Sequence, residues 1–350
     1  MEIKFLSEKD DVWKAKWSQF LLRSEHQHPR QDLAFSPVDV AFGRQPIYVV
    51  GHEGGEVRAI SMFGLQNFGH STTSYSEASA FNGPVCDNVD DFREFLKKIV
   101  QEPFFRKVGK VKITPYWTGS DVEVLEGMLN ELGWKTSSAK NSLSTGLVDV
   151  TKNENEMFAS FSKSARREIR RAQRQGVNIK SIRDENGALE FLKSQNALCA
   201  QRGMQLVGKA AFMTSFHEIY KSGDVGVILG AYKEDVFLSG LQMYRGVHVA
   251  HGRHFSSNMD ALRKLSNLRI SPTVWLSGAK WAAQKGCRFL DVEGYREDLP
   301  VGHEMANIFK YKGELNPTLT PRISEHYLVT NRSVDLPSSA MVLARKVLIN

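Results

Sequence analysis

What most constrains this 350-residue chain is an order of elements that occurs twice. Residues 47–50 and 57–65 read as strands joined across Gly51-His52-Glu53-Gly54-Gly55, and residues 225–232 and 236–244 repeat that hairpin around Lys233-Glu234-Asp235. In each half a polar stretch then leads to a helix, 89–100 against 271–285, and the helix feeds a strand, 110–115 against 288–292. Further helices are expected at 7–24, 122–132, 186–200 and 211–222, with extended chain at 142–150, 177–182 and 248–256. Each half therefore holds the helices needed to cover its own sheet. Two copies of one mixed α/β module are the economical solution, a mixed-sheet α+β architecture divided as 1–158 and 159–350.

The second half opens on Ser160-Phe161-Ser162-Lys163-Ser164-Ala165-Arg166-Arg167-Glu168-Ile169-Arg170-Arg171-Ala172-Gln173-Arg174-Gln175-Gly176-Val177, a short helix with a small polar entry and a glycine exit. Its six cations face a single acid, Glu168. Helical spacing sets Arg166, Arg170 and Arg174 on one ridge and Lys163, Arg167 and Arg171 on the next. Like charges at that spacing repel, so an anion or a set of partner carboxylates is expected opposite them. Arginine grips phosphate oxygens in pairs, which makes nucleotide or RNA the natural counter-ion and Arg167 and Arg171 candidate phosphate contacts. A solvated charged face is the plainer alternative.

The whole chain carries 46 Lys and Arg against 39 Asp and Glu, a surplus of +7, and this helix supplies five of it. The balance suits a local basic site and excludes a surface coated in positive charge. Three cysteines, Cys86, Cys199 and Cys287, lie far apart and fit no metal spacing, as expected of reduced thiols. No signal peptide is read at the N-terminus and no apolar run approaches a membrane span, so the expected location is the cytoplasm. Histidines 248, 251 and 254 step by three along an expected strand, which does not set them on one face for a metal. Neither a metal nor a bound cofactor is expected.

Three further stretches could carry chemistry. In Asn307-Ile308-Phe309-Lys310-Tyr311-Lys312-Gly313, Lys310 stands between two aromatics that could hold its stem while the ammonium enters a cleft; the alternative is a surface lysine. In Arg288-Phe289-Leu290-Asp291-Val292-Glu293-Gly294, a strand delivers two acids at its end, where α/β sheets place site residues. Regular alternation puts Asp291 and Glu293 on one face, able to orient an amine or act as base, or else to pair with Arg288 or Arg296. Gln205-Leu206-Val207-Gly208-Lys209-Ala210 fits a pyrophosphate-cradling pattern but follows a helix rather than a strand, and so is set aside.

Several of these motifs together resemble the Fem-type aminoacyltransferases, the FemX/FemAB group. Gly83-Pro84, Lys112-Ile113-Thr114-Pro115, Leu132-Gly133-Trp134 and Ser144-Thr145-Gly146-Leu147-Val148-Asp149 follow its first half. Phe161–Val177 resembles its basic signature, and Ser239-Gly240, Pro272…Ala283…Gly286 and Asp291…Gly294 follow its second half. Phe309-Lys310 resembles the F-K-x-x-F-G motif, although Lys312 stands where a second aromatic is usual. The coiled-coil insertion of the larger members is missing, and no Trp-Lys pair stands near Phe35.

The resemblance implies two tandem GNAT-like domains and transfer of an aminoacyl group from aminoacyl-tRNA to an amine of a peptidoglycan precursor. It implies Lys310, beside Phe309, at the catalytic centre, and Arg202 at the acceptor's phosphates, with Tyr244 and Ser256 completing the substrate-binding set. An aminoacyl ester is already activated, so no covalent nucleophile is needed; the enzyme must orient an amine and stabilise an oxyanion. The implied partners are charged tRNA and a phosphate-bearing acceptor, reached by peripheral contact if that acceptor is membrane-bound. Two rivals stand beside this: an N-acyltransferase using acyl-CoA or a carrier-bound donor, and a non-catalytic RNA- or nucleotide-binding protein.

Overall fold

The computed structural model of the chain describes residues 1–68, 75–137, 144–266, 268–295 and 306–331. Residues 142–143 and Arg296, named above, lie outside these. The chain divides into two compact units, Met1–Asn141 with Pro321–Asn350, and Ser142–Thr320.

The first unit contributes strands β1 (Glu2–Leu6), β2 (Gln45–Glu53), β3 (Glu56–Phe68), β4 (Tyr75–Ala80), β5 (Val85–Cys86), β6 (Lys110–Ile113) and β7 (Lys135–Thr136). Its helices are α1 (Asp11–Arg23), α2 (Ser36–Ala41), α3 (Val89–Ile99), α4 (Pro103–Lys107) and α5 (Val122–Glu131). Asn88 caps α3 by accepting the Asp91 N–H at 2.8 Å, and Phe92, Phe95, Leu96 and Ile99 follow at helical spacing as its buried stripe. That stripe closes a core with Phe63, Phe105, Trp117 and Leu125.

The second unit begins with β8 (Ser144–Asp149) and continues through α6 (Glu154–Ser160), α7 (Lys163–Arg174), β9 (Val177–Ser181), α8 (Glu185–Gln201) and α9 (Lys209–Ser215). It then runs through β10 (Gly226–Lys233), β11 (Val236–Arg245), β12 (Val249–Ser257), α10 (Met259–Lys264), α11 (Ser271–Gln284), β13 (Phe289–Tyr295), α12 (Ala306–Gly313) and β14 (Thr318–Pro321). One last strand, β15 (His326–Val329), returns to the first unit.

Strand order is β1-β2-β3-β4-β6-β15-β7 in one sheet and β14-β8-β13-β12-β11-β10-β9 in the other. β4 pairs with β6 in parallel in the first sheet and β12 with β13 in the second, each pair next to antiparallel neighbours. These are the two copies of a mixed module that the element order predicts. The division differs from a cut near residue 158. β8 is antiparallel to β13, pairing Asp149 with Phe289, while β15 is antiparallel to β6, pairing His326 with Ile113. Each strand thus sits beyond the parallel pair of the unit that lies on the other side of it in sequence, and the backbone ladder rather than chain order fixes membership.

The basic helix α7 forms as its sequence dictates. Ser162 accepts the Ala165 N–H at 3.1 Å, Ala165, Ile169 and Ala172 face the core, and Gly176 takes the left-handed turn (φ 73°) that ends it. The second core gathers these residues with Val227, Leu229, Leu241, Met243, Val274 and Trp275. α8 and α11 cover opposite faces of this sheet. A Cβ on Gly240 would meet Phe191 of α8, whereas Leu241 and Met243 pack at Gly278 of α11, as alternation along β11 requires. Among the described residues no helix is long and apolar enough to cross a membrane.

Candidate active site

β13 does not alternate regularly to its end. Its pairing with β8 shifts register between Asp291 and Gly294, and Glu293 adopts φ 59°, a conformation that side chains rarely take. Asp291 and Glu293 therefore do not share a face, contrary to the regular-strand expectation. Asp291 is wholly buried. Its Oδ1 accepts from Thr145 Oγ1 at 2.5 Å and from the Glu293 N–H at 2.6 Å, and its Oδ2 lies 3.7 Å from His251 Nδ1. With those lone pairs engaged it holds the bend in place. Glu293 is partly exposed, and its carboxylate lies 3.9 Å from Arg253, not beside Arg288.

The bend opens a cavity of about 180 Å³ in the second unit. Gln195 and Cys199 of α8, Arg202 just past its end, Arg253 and His254 of β12, and Trp275 of α11 line it, with Glu293, Tyr311 and Lys312. Lys312 donates from Nζ to the carbonyls of Gly294 at 3.0 Å and Glu293 at 3.4 Å. Its ammonium has three donors, so two fixed carbonyls leave one direction to address a ligand. Burial lowers the Lys312 pKa, against the opposing pull of Glu293 and Asp291. Tyr311 packs on Phe255 with ring centroids 6.0 Å apart, and burial pushes its hydroxyl up to about 12 despite the nearby Arg202. His254 is held down at about 3 by burial and by Arg253, so it is neutral at physiological pH. The buried Gln195 Oε1 has no hydrogen-bond partner among the described residues, which leaves an acceptor for a bound donor.

Lys310 is exposed and does not line the cavity. Two positions along α12 are about 200° apart round its axis, so Lys310 and Lys312 leave on nearly opposite sides. Phe309, three before Lys312, is buried, with the Lys312 ammonium 5.7 Å from its ring centroid. Read two residues further along the chain, the same motif falls on this lysine. Tyr311-Lys312-Gly313-Glu314-Leu315-Asn316 places an aromatic before the lysine, the buried Leu315 at the apolar position and Asn316, at φ 55°, where the motif has glycine.

Other expected site residues lie apart. Tyr244 packs on Tyr220, with centroids 5.8 Å apart, and Ser256 is buried, its carbonyl accepting from Ser239 Oγ at 2.5 Å; neither lines the cavity. Arg167 and Arg171 share the buried carboxylate of Glu168 at 3.3 and 3.4 Å. Gln205–Gly208 connects two helices, α8 and α9, as its context predicts, and Asn196 clamps Val207 through both its N–H and its carbonyl at 2.9 Å. Between β12 and α11 stands α10. Among the described residues no three His, Cys, Asp or Glu gather as metal ligands.

No protein-family model matches the sequence, and no curated protein is similar to it at a significant level. Solved structures do match. A crystal structure of FemX superposes with TM-score 0.77 at 15% identity, covering 96% of this chain and 99% of that one. The C-terminal domain of a putative lysylphosphatidylglycerol synthetase from Agrobacterium fabrum gives TM-score 0.53 at 13% identity over 95% and 97%. A tandem GNAT protein from the clavulanic acid biosynthesis pathway gives 0.51 at 11% identity over 94% and 99%. The chain has the Fem-type, tandem GNAT-like fold.

Proposed function

We propose that the protein is an aminoacyltransferase that moves an aminoacyl group from aminoacyl-tRNA to an amine of a peptidoglycan-precursor-like acceptor, with no covalent intermediate. The observation that carries this reading is the Lys312 ammonium, held by the Glu293 and Gly294 carbonyls at the wall of a cavity of about 180 Å³. That volume is small beside the usual 300–1,000 Å³ of a site enclosing a whole ligand and commensurate with an aminoacyl group.

In the proposed reaction the acceptor amine attacks the ester carbonyl. The new C–N bond forms, negative charge collects on the carbonyl oxygen, and Lys312 stabilises it. Collapse breaks the C–O bond to the ribose, and the proton lost by the amine goes to the departing hydroxyl. Glu293, beside Arg253, orients the attacking amine, and Asp291 keeps both Glu293 and the two carbonyls in place. Arg202 offers its charge to a phosphate at the rim.

Acyl transfer from CoA is the second reading, favoured by the likeness to a tandem GNAT protein. Against it stand α10 in the segment between β12 and α11 and the helical context of Gln205–Gly208. Parallel titrations with acetyl-CoA and with aminoacyl-tRNA separate the two. Saturable binding of the charged tRNA is expected, and tight saturable binding of acetyl-CoA with none of the tRNA would reverse the assignment.

A further inference from the structure

Among the described residues, α7 carries more positive charge than its neighbours neutralise. Glu168 serves Arg167 and Arg171, while Lys163, Arg166, Arg170 and Arg174 have no carboxylate within ion-pair distance among the described residues. These four line an open groove of about 880 Å³ between α6 and α7, whose walls among the described residues include Phe158 and no acid. Two of the four are held in position. Arg166 donates to the Ala159 carbonyl at 2.5 Å and the Phe161 carbonyl at 3.0 Å, and the Arg170 guanidinium lies 5.1 Å from the centroid of the half-buried Phe158 ring.

Arg166, Arg170 and Arg174 recur every four residues, hence about 6 Å apart along the helix. Each like-charged pair at that spacing costs a few tenths of a kcal/mol, and among the described residues no carboxylate offsets it. A linear polyanion would, by presenting successive phosphates to successive guanidinia. A lipid surface fits poorly. A helix that lies in a membrane needs an exposed apolar face, and that of α7 (Ala165, Ile169, Ala172) is buried in the core.

We propose that the α6–α7 groove is a docking surface for the phosphodiester backbone of structured RNA, gripped by Lys163, Arg166, Arg170 and Arg174. The choice of RNA among polyanions rests on the aminoacyl-tRNA reading. The grip is to phosphates and not to bases, so it tolerates sequence and separates the body of the donor from the ester at the cavity.

Fluorescence anisotropy of a labelled, uncharged tRNA transcript, titrated with the full chain at several salt concentrations, tests this. Wild type is expected to bind with a strong salt dependence. The double variant R170Q/R174Q should lose about tenfold or more in affinity, with a salt slope shallower by about two, and an unchanged melting temperature. Lys97→Gln, at an exposed position of α3, should bind the transcript as wild type does. Unaltered affinity and slope in R170Q/R174Q would overturn the proposal. So would binding through these arginines to vesicles of anionic phospholipid in place of RNA. Groove-dependent RNA binding without aminoacyl transfer would sustain the docking surface while refuting the transferase reading.

Discussion

The carboxylate of Asp291 accepts the backbone N–H of Glu293 at 2.6 Å, and Glu293 stands at φ 59°. This short-range bond spans the register shift in β13, where the two acids part and the carbonyls of Glu293 and Gly294 meet Lys312. The site is thus built from a local distortion supported by a buried charge.

Removing the charged group at the cavity should be far more costly than removing its exposed neighbour. Lys312→Met is expected to lower the transfer rate by about 10²–10³, the usual cost of one oxyanion-stabilising contact, with circular dichroism unchanged. Lys310→Ala should stay within about twofold of wild type, because exposed positions away from the chemistry contribute little. Single-turnover rates of the two variants decide between the lysines.

Asp291→Asn removes the charge that accepts from Thr145 and from the Glu293 N–H. Hydrogen bonds to a charged group are each worth about 1.5–3 kcal/mol, so a loss of at least that order in urea denaturation is expected. Thr145→Val should cost less, since the Glu293 bond survives. Equal stability of Asp291→Asn and wild type would show that the bend is held by something else.

His254 has its pKa pulled down to about 3 in the folded protein, against an ordinary value of about 6.5. Between those values the unfolded chain binds a proton that the folded one refuses. Stability therefore rises with pH from about 3 to about 6.5, and this group adds no slope above that. Urea midpoints across the range should show a shallower rise in His254→Gln than in wild type.

Gly252 stands against Trp275 at the cavity wall, and an added Cβ would collide with the indole ring. Gly252→Ala should displace Trp275 and destabilise by about 1–3 kcal/mol, the usual cost of overpacking. A shift in tryptophan fluorescence with the loss in melting temperature would identify the cause.

Much of the architecture was legible because its signals are local. Ser162 and Gly176 bound α7, Pro272 and Gly286 bound α11, and Lys233-Glu234-Asp235 turns the β10–β11 hairpin, all within a few residues of the sequence that specifies them. The strand crossings were not legible, because the partners of β8 and β15 lie more than a hundred residues away. The acids of β13 were misplaced because alternation assumes a regular strand, and a side chain two residues upstream imposes the break. The aromatic-lysine motif fits this segment at two places, two residues apart. Phe309-Lys310 and Tyr311-Lys312 are equally aromatic-lysine pairs, and only the burial of Leu315 and the turn at Asn316 tell them apart.

The central claim is transfer of an aminoacyl group to an amine. The most direct measurement incubates the purified chain with a pool of radiolabelled aminoacyl-tRNAs and a peptidoglycan-precursor amine, then follows label into an amide product. The account predicts a labelled amide with wild type and with Lys310→Ala, and none above background with Lys312→Met. No amide from any aminoacyl-tRNA, together with consumption of acetyl-CoA by the same preparation, would contradict it.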